Sequence, residues 1–398
     1  MKLLPKEAFP VSRTETYLAP DYVPGFACKM GACRAACCEG WPISFTMTDY
    51  FRLIGVDCSP ELRRRLDCAM HLAPHPTEEE YAQIVPRYDG NCPLRLPDGR
   101  CGLQAELGED SLSAVCRLYP RGVRTQGGKE CSCANSCEAV AEMLLRPEPI
   151  TFRPTPLTVT PPPEGPRAVF FETAGREQEI RLWLIARVQD RRYPLPRRLL
   201  ALGGALHAMD DALTARDARR VDRLLSGQED YKLPVPAQPD PDTLRFGLGV
   251  MEKLLTVVDE GSCSIRSYGE AVLACFGQGE EAFRRYEAAR EHWERVMPLW
   301  PCWMENLLAN HMFFTRFPFQ DRPVSLRDEY TALCAVYTLL RFLWVGWMAD
   351  KEDASAAVDV TAAAFRLIDH TEFDRYAVPV LKGLGCDRWD SLARLLCL

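Results

Sequence analysis

Twelve of the chain's eighteen cysteines lie before residue 138, and four of them fall within CKMGACRAACC at 28–38. Disulfides do not persist in a reducing compartment, and small cysteine-dense folds there owe their order to bound metal. The start of the chain, MKLLPKEAFPVSRTE, has no long apolar run and carries early prolines, so it does not read as a signal peptide. A cytoplasmic protein whose first third is organised by metal is the expectation.

The remaining text differs in kind. Between 147 and 166 the sequence PEPITFRPTPLTVTPPPEGP shows no helical period and reads as a linker or surface strap. After it, apolar residues recur three and four apart in REQEIRLWLIARVQD, LPRRLLALGGALHAMDDAL, DTLRFGLGVMEKLLTVV, EEAFRRYEAAREHWERVM and ASAAVDVTAAAFRLIDH. The division predicted is a cysteine-rich domain over 1–146, a linker over 147–166 and an α-helical domain over 167–398. The fold class is mainly α, with a loop-rich cysteine/metal-binding unit packed on the C-terminal helical domain.

TALCAVYTLLRFLWVGWMA at 331–349 is nearly apolar enough for a membrane span, but Arg341 near its middle and its amphipathic neighbours predict a buried core helix. The net charge of −7 is spread along the chain without a basic face, which argues against nucleic acid or an anionic membrane as partner.

Local signals within the first third are specific. Thr46 or Thr48 caps a helix near 47–56, and Ser59-Pro60 opens another near 60–70. Asp98-Gly99 marks a tight turn that returns Cys101 toward Cys92. A short helix over 102–107 ends at Gly108, and Cys137 opens a further one. Four thiolates suit either a tetrahedral zinc ion or an iron–sulfur cluster, and the spacing alone leaves both open. Cys58, Cys68, Cys263, Cys275, Cys302, Cys334, Cys386 and Cys397 are scattered through helical text and read as small core residues.

FACKMGACRAACCEGW, followed by NCPLRLPDGRCGLQAELGEDSLSAVCRLYPR, resembles the flagellin lysine-N-methylase family. The matching positions are Cys28, Cys33, Cys37, Cys38, Gly40, Trp41, Cys92, Pro93, Cys101, Leu103, Gln104, Glu106 to Glu109, Cys116, Arg117, Tyr119, Pro120, Arg121 and Cys137. A second box, ENLLANHMFFTRFPF at 305–319, is similar to the family's C-terminal pattern. The resemblance implies a [4Fe–4S] cluster held among Cys28, Cys33, Cys37, Cys38, Cys92, Cys101, Cys116 and Cys137, and transfer of methyl groups from S-adenosylmethionine to lysines of flagellin. A non-catalytic iron–sulfur or zinc protein that recruits a protein partner is the alternative.

Within that frame, Arg117, Tyr119 and Arg121 follow Cys116 and would offset the charge of thiolate-bound iron, with surface packing as their other reading. Glu305, Asn306 and Asn310 share a helix face amid apolar residues and are the candidates to orient a substrate lysine, or else form a structural network. No Gly-rich turn after a strand provides an ordinary nucleotide site. LGG at 202–204, GLG at 247–249 and GQG at 277–279 read as helix bends or ends, so the methyl donor would need an unfamiliar site, with the cluster one place for it.

Overall fold

A computed structural model describes residues 12–34, 37–39, 43–160, 170–173, 175–230, 240–256, 263–279, 281–320, 324–371 and 373–398. Gly40 and Trp41 of the first motif, residues 1–11, and 161–166 of the expected linker lie outside the described residues. The chain divides into two compact units, one of residues 1–134 with 151–167 and one of 135–150 with 168–398.

The first unit holds two small sheets. Strands β1 (Arg13–Pro20), β5 (Arg121–Arg124), β6 (Glu130–Cys133) and β7 (Phe152–Val159) form one in the order β5-β6-β1-β7. Strands β2 (Ile43–Phe45), β3 (Met70–Leu72) and β4 (Ala82–Ile84) form the other in the order β2-β4-β3. The middle of the expected linker, 152–159, is therefore strand. β7 runs antiparallel to β1 over its whole length, from Phe152 opposite Pro20 to Val159 opposite Arg13. Its prolines are tolerated because it is an edge strand, where the missing N–H groups need no further partner. Thr155, Leu157 and Val159 turn inward at alternate positions, the period of a half-buried strand.

Helices α1 (Met47–Ile54), α2 (Pro60–Ala69), α3 (Gly102–Leu107) and α4 (Ala114–Leu118) complete this unit. Thr46 accepts the Asp49 amide at 3.1 Å and Ser59 accepts that of Leu62 at 3.2 Å, as their cap sequences require. Gly108, at φ +82°, stops α3. These pieces enclose a modest core around Phe45, Leu53, Leu66, Ile84, Leu94 and Leu103.

The second unit is all helix among its described residues. It begins with α5 (Glu138–Leu144), α6 (Glu177–Val188), α7 (Leu195–Thr214) and α8 (Ala218–Leu225). It continues through α9 (Pro241–Thr256), α10 (Cys263–Phe276), α11 (Glu281–Val296) and α12 (Trp300–Phe314). The last four are α13 (Leu326–Trp347), α14 (Ala356–His370), α15 (Phe373–Gly383) and α16 (Trp389–Leu395). The mainly α class is thus observed.

α13 is the central helix: its residues from Glu329 to Gly346 are all buried. It is the one helix among the described residues long and apolar enough to cross a membrane, yet the other helices of its own unit cover it. Arg341 is accommodated by the Leu396 carbonyl at 3.2 Å and by the Trp300 ring, with a centroid distance of 5.2 Å. An amphipathic guanidinium stacked on an aromatic face loses less on burial than a bare charge.

Two expected helix breaks are close-packing points instead. A methyl group on Gly203 in α7 would stand 2.4 Å from the Tyr330 ring of α13, and one on Gly247 in α9 would stand 1.9 Å from Leu398. GQG at 277–279 does end a helix, with φ of +66° at Gly277 and +79° at Gly279. The Tyr330 hydroxyl donates to the Leu199 carbonyl at 3.1 Å, so the ring cannot swing aside without orphaning a buried group. Gly203→Val should therefore destabilise the protein by about 2 kcal/mol or more. The check is a denaturant midpoint; a variant that unfolds with wild-type midpoint would refute this packing.

Candidate functional site

Cys38, Cys92, Cys101 and Cys116 come together in the first unit from four separate stretches of chain. Electrostatic influence between thiols links every pair of the four. Backbone geometry explains the convergence. The Cys92 amide donates to the Cys38 carbonyl at 2.8 Å, laying the two cysteine segments side by side. Leu96 and Arg100 close the turn at Asp98-Gly99, and Arg95 pairs with Cys101 as an isolated bridge, so Cys101 returns beside Cys92 as its sequence predicts. Cys116 sits in α4, whose start is fixed by Ser113 accepting the Cys116 amide at 3.3 Å.

The loop carrying Cys28 and Cys33 crosses that turn at two glycines. Gly31, at φ +95°, approaches so closely that a Cβ there would lie 2.6 Å from the Gly99 carbonyl carbon, and Gly99 itself adopts φ +86°. Both positive φ and the contact require glycine. Cys37 joins the group through its neighbour, and its thiol is influenced by Cys116 and Cys28. Cys33 is half-buried.

Desolvation pushes the Cys92 thiol up to about 12 and the Cys116 thiol up to about 11, and it raises Cys101 as well. Cys38 moves the other way, to about 7, because the Cys37 thiol donates a hydrogen bond to its sulfur and the Arg95 guanidinium lies nearby. The same hydrogen bond holds Cys37 protonated, far above the ordinary thiol range. Buried thiols held together in this way are costly as thiolates unless a cation joins them. Among the described residues no three His, Cys, Asp or Glu side chains stand close enough to share a single ion.

Cys137, expected with these ligands, belongs to the second unit, where it immediately precedes α5. Cys131 and Cys133 are fully buried in β6. Of the cysteines expected in the core, Cys334, Cys386 and Cys397 are buried and Cys58 and Cys302 half-buried, whereas Cys68 and Cys275 are exposed on their helices. The Cys263 side chain is outside the described residues.

Arg117 carries its Nε buried without a hydrogen-bond partner, an orphan directly beside Cys116. Arg121 is held over the Phe26 ring, 5.0 Å from its centroid, and its charge favours the Cys131 thiolate rather than one of the four converging thiols. Tyr119 leads into Pro120 through a cis peptide bond at the end of α4.

The downstream box begins in α12 of the second unit, and its Glu305, Asn306 and Asn310 are wholly buried. Glu305 receives the Arg191 Nε at 3.1 and 3.0 Å and the Arg191 Nη2 at 2.8 Å, and Arg198 bonds its second oxygen. Asn306 donates to the carbonyls of Leu144, Arg146 and Glu148 at 3.1, 3.1 and 3.0 Å, while its carbonyl oxygen accepts the Ile150 amide at 3.1 Å. Asn310 donates to the Asn135 side chain at 2.6 Å, which in turn donates to the Leu307 carbonyl at 2.9 Å. Arg191 also reaches the Pro147 carbonyl at 2.6 Å.

These three residues, expected at a lysine entrance, grip the segment 135–150 of their own unit. The physical reason is the state of that segment. After α5 its backbone leaves helical pairing, and the Asn306 side chain supplies donors to the Arg146 and Glu148 carbonyls that the chain's own helix no longer provides. Sequence reasoning recognised the polar groups as too costly to leave alone but did not identify Arg191, Arg198, Asn135 or Gln189 as partners. Gln189 completes the set by donating to the Ile150 carbonyl at 2.8 Å.

The model of the FliB lysine N-methylase C-terminal domain matches residues 181–398, more than half of the chain and most of this helical unit. The chain belongs to that family. Two curated relatives, the lysine-N-methylases of Salmonella typhimurium and Salmonella choleraesuis, are each 29% identical over 133 residues, or 33% of this chain and 32% of theirs. The chain thus aligns with about a third of the length of the curated relatives it matches. No solved structure gives a significant match.

In this family member the Asn306 clamp supports the fold directly. Asn306→Ala should leave the Ile150 amide and the Arg146 and Glu148 carbonyls without this partner and cost about 3 kcal/mol. Asn306→Asp, which keeps the acceptor but removes the donors, should also destabilise. Equilibrium unfolding checks both, and wild-type stability in either would contradict the clamp.

Proposed function

We propose that the protein is a cytoplasmic lysine N-methyltransferase that transfers methyl groups from S-adenosylmethionine to flagellin, and that its first unit carries a [4Fe–4S] cluster. The observation that carries the reading is the match of 181–398 to the lysine N-methylase domain. The convergence of thiols supports the cluster. All the described cysteines are free thiols, in keeping with a reducing compartment.

Cys38, Cys92, Cys101 and Cys116 are the four side chains we assign as ligands, since each interacts with the other three. Four thiolates gathered from irregularly spaced segments are what a cubane's thiolate cage requires. Bound there, the cluster would neutralise the buried thiolates and supply an iron centre. Arg117, next to Cys116 in the chain, keeps its Nε buried without a hydrogen-bond partner, and the Cys37 hydrogen bond together with Arg95 keeps Cys38 toward its thiolate form. Cys28, Cys33 and Cys37 surround this set, and Cys137 is left out of it.

Methyl transfer requires a neutral lysine amine, so the ammonium must first lose its proton, which desolvation favours. The amine nitrogen then attacks the sulfonium methyl, forming the N–C bond as the S–C electron pair returns to sulfur. Glu305, Asn306 and Asn310 contribute by holding the 135–150 segment in place. They act as positioning residues.

Anaerobically prepared protein should contain about four irons and four labile sulfides per chain. Cys92→Ser and Cys116→Ser should lose both, while Cys137→Ser should keep them. With S-adenosylmethionine, the holoprotein should add successive methyl groups to flagellin lysines, read by intact mass. Stoichiometric zinc without sulfide would overturn the cluster. Unmodified flagellin after exposure to holoprotein that binds S-adenosylmethionine would favour a non-catalytic metal protein that recruits a partner.

A further inference from the structure

One turn along α12 from Asn306, three pairs of consecutive residues meet in the second unit: 135–136 ahead of α5, 310–311 in α12 and 369–370 at the end of α14. Asn310 donates to Asn135 at 2.6 Å, Ser136 and His370 are bonded at 2.7 Å, and His311 and Asp369 at 2.9 Å. The first two bonds tie the segment 135–150 to the helices. The third joins α12 to α14, and the clamp makes no use of it.

That third pair is unlike the other buried carboxylate of the unit. Glu305 is bound by two arginines. The Asp369 side chain, only 1% exposed, has His311 as its one hydrogen-bond or ion-pair partner among the described residues, and its Oδ2 is buried with no partner at all. Buried polar groups ordinarily collect donors on every oxygen, so this carboxylate directs its charge at a single imidazole. With the Nδ1 proton donated to Asp369, the neutral ring carries its lone pair on Nε2, which no described residue bonds. The ring is packed 5.6 Å from that of Phe365, its side chain is 11% exposed, and His370 beside Asp369 is exposed, so the pair lies just beneath the surface.

We propose that His311 is the base that deprotonates the substrate lysine and that Asp369 is its positioning residue, an inference that rests on the chain being a lysine N-methyltransferase. One N–H bond of the ammonium breaks, the proton passes to His311 Nε2, and the electron pair stays on the lysine nitrogen for its attack on the methyl group. The imidazolium later gives its proton to water. Asp369 holds the ring in the tautomer that exposes Nε2 and faces the positive charge as it forms, the part a buried carboxylate plays behind a catalytic histidine. The clamp gains a second purpose from this arrangement. Asn310, which holds Asn135, directly precedes His311, and Ser136 pins His370, the residue after Asp369.

The test is methyl transfer to flagellin by the full-length holoprotein, with kcat and KM read separately. His311→Gln keeps an N–H toward Asp369 and removes the base; it should lower kcat about a hundredfold and leave KM within about twofold. His311→Ala should be as slow, and added imidazole should restore its rate by about tenfold or more, because the vacated space still faces Asp369. Asp369→Asn should lower kcat too, and ¹⁵N spectra of its imidazoles should show the His311 proton moved from Nδ1 to Nε2.

Wild-type kcat in His311→Gln would overturn the assignment while leaving the methylase reading intact. A folded, slow His311→Ala protein that ignores imidazole would overturn it as well, since a purely structural histidine behaves that way; if that variant does not fold, His311→Gln decides. Should the wild-type holoprotein leave flagellin unmodified, the methylase reading fails by itself, and titration with n-butylammonium then judges the pair. Movement of the His311 Nε2 resonance that is lost in Asp369→Asn would uphold an amine site there without the reaction, and an unmoved resonance would overturn both.

Discussion

The second unit depends on one residue's amide. Asn306, fully buried in α12, gathers the carbonyl of the last α5 residue, Leu144, and two carbonyls and one amide of the stretch that follows. A buried peptide group without a partner costs about 1–3 kcal/mol, comparable to a good fraction of a domain's whole stability. The Glu305 carboxylate beside it is bound by two arginines, one of which also holds the Pro147 carbonyl. α12 thereby acts as a fastening for a segment that comes some 160 residues earlier in the chain, and this explains why 135–150 belongs with the helices.

The cysteine unit is held on different terms. Its core is small, its strands are short, and its loops meet through paired glycines rather than through broad apolar contact. Four thiols in mutual influence at its centre are costly to ionise, because burial disfavours the thiolate. The helical unit gains its order from aromatic and aliphatic burial around α13.

Local chemistry made part of this legible. The caps at Thr46 and Ser59, the turn at Asp98-Gly99, the stop at Gly108 and the helix opened at Cys137 each depend on a few adjacent residues, and each is found where its residues require. β7 was hidden because its prolines resemble a linker; what permits them is an edge position beside β1, more than a hundred residues away. The grouping of 135–150 with the helices was hidden for the same reason, since the deciding contacts come from α12. Gly203 and Gly247 resembled breaks because a sequence does not display the ring of Tyr330 or the side chain of Leu398 that presses on them. Among the candidate residues, the box in α12 was recognisable as special from buried polarity, but its partners lay beyond any local signal.

The clamp on 135–150 is the claim on which the account of the helical unit turns, and native-state hydrogen exchange resolved to the Ile150 amide tests it most directly. That amide lies outside any helix, yet it is buried and donates to Asn306. The account predicts exchange as slow as that of amides in the middle of α12, opening only with the unit as a whole. Exchange at the rate of an unprotected loop amide would contradict it.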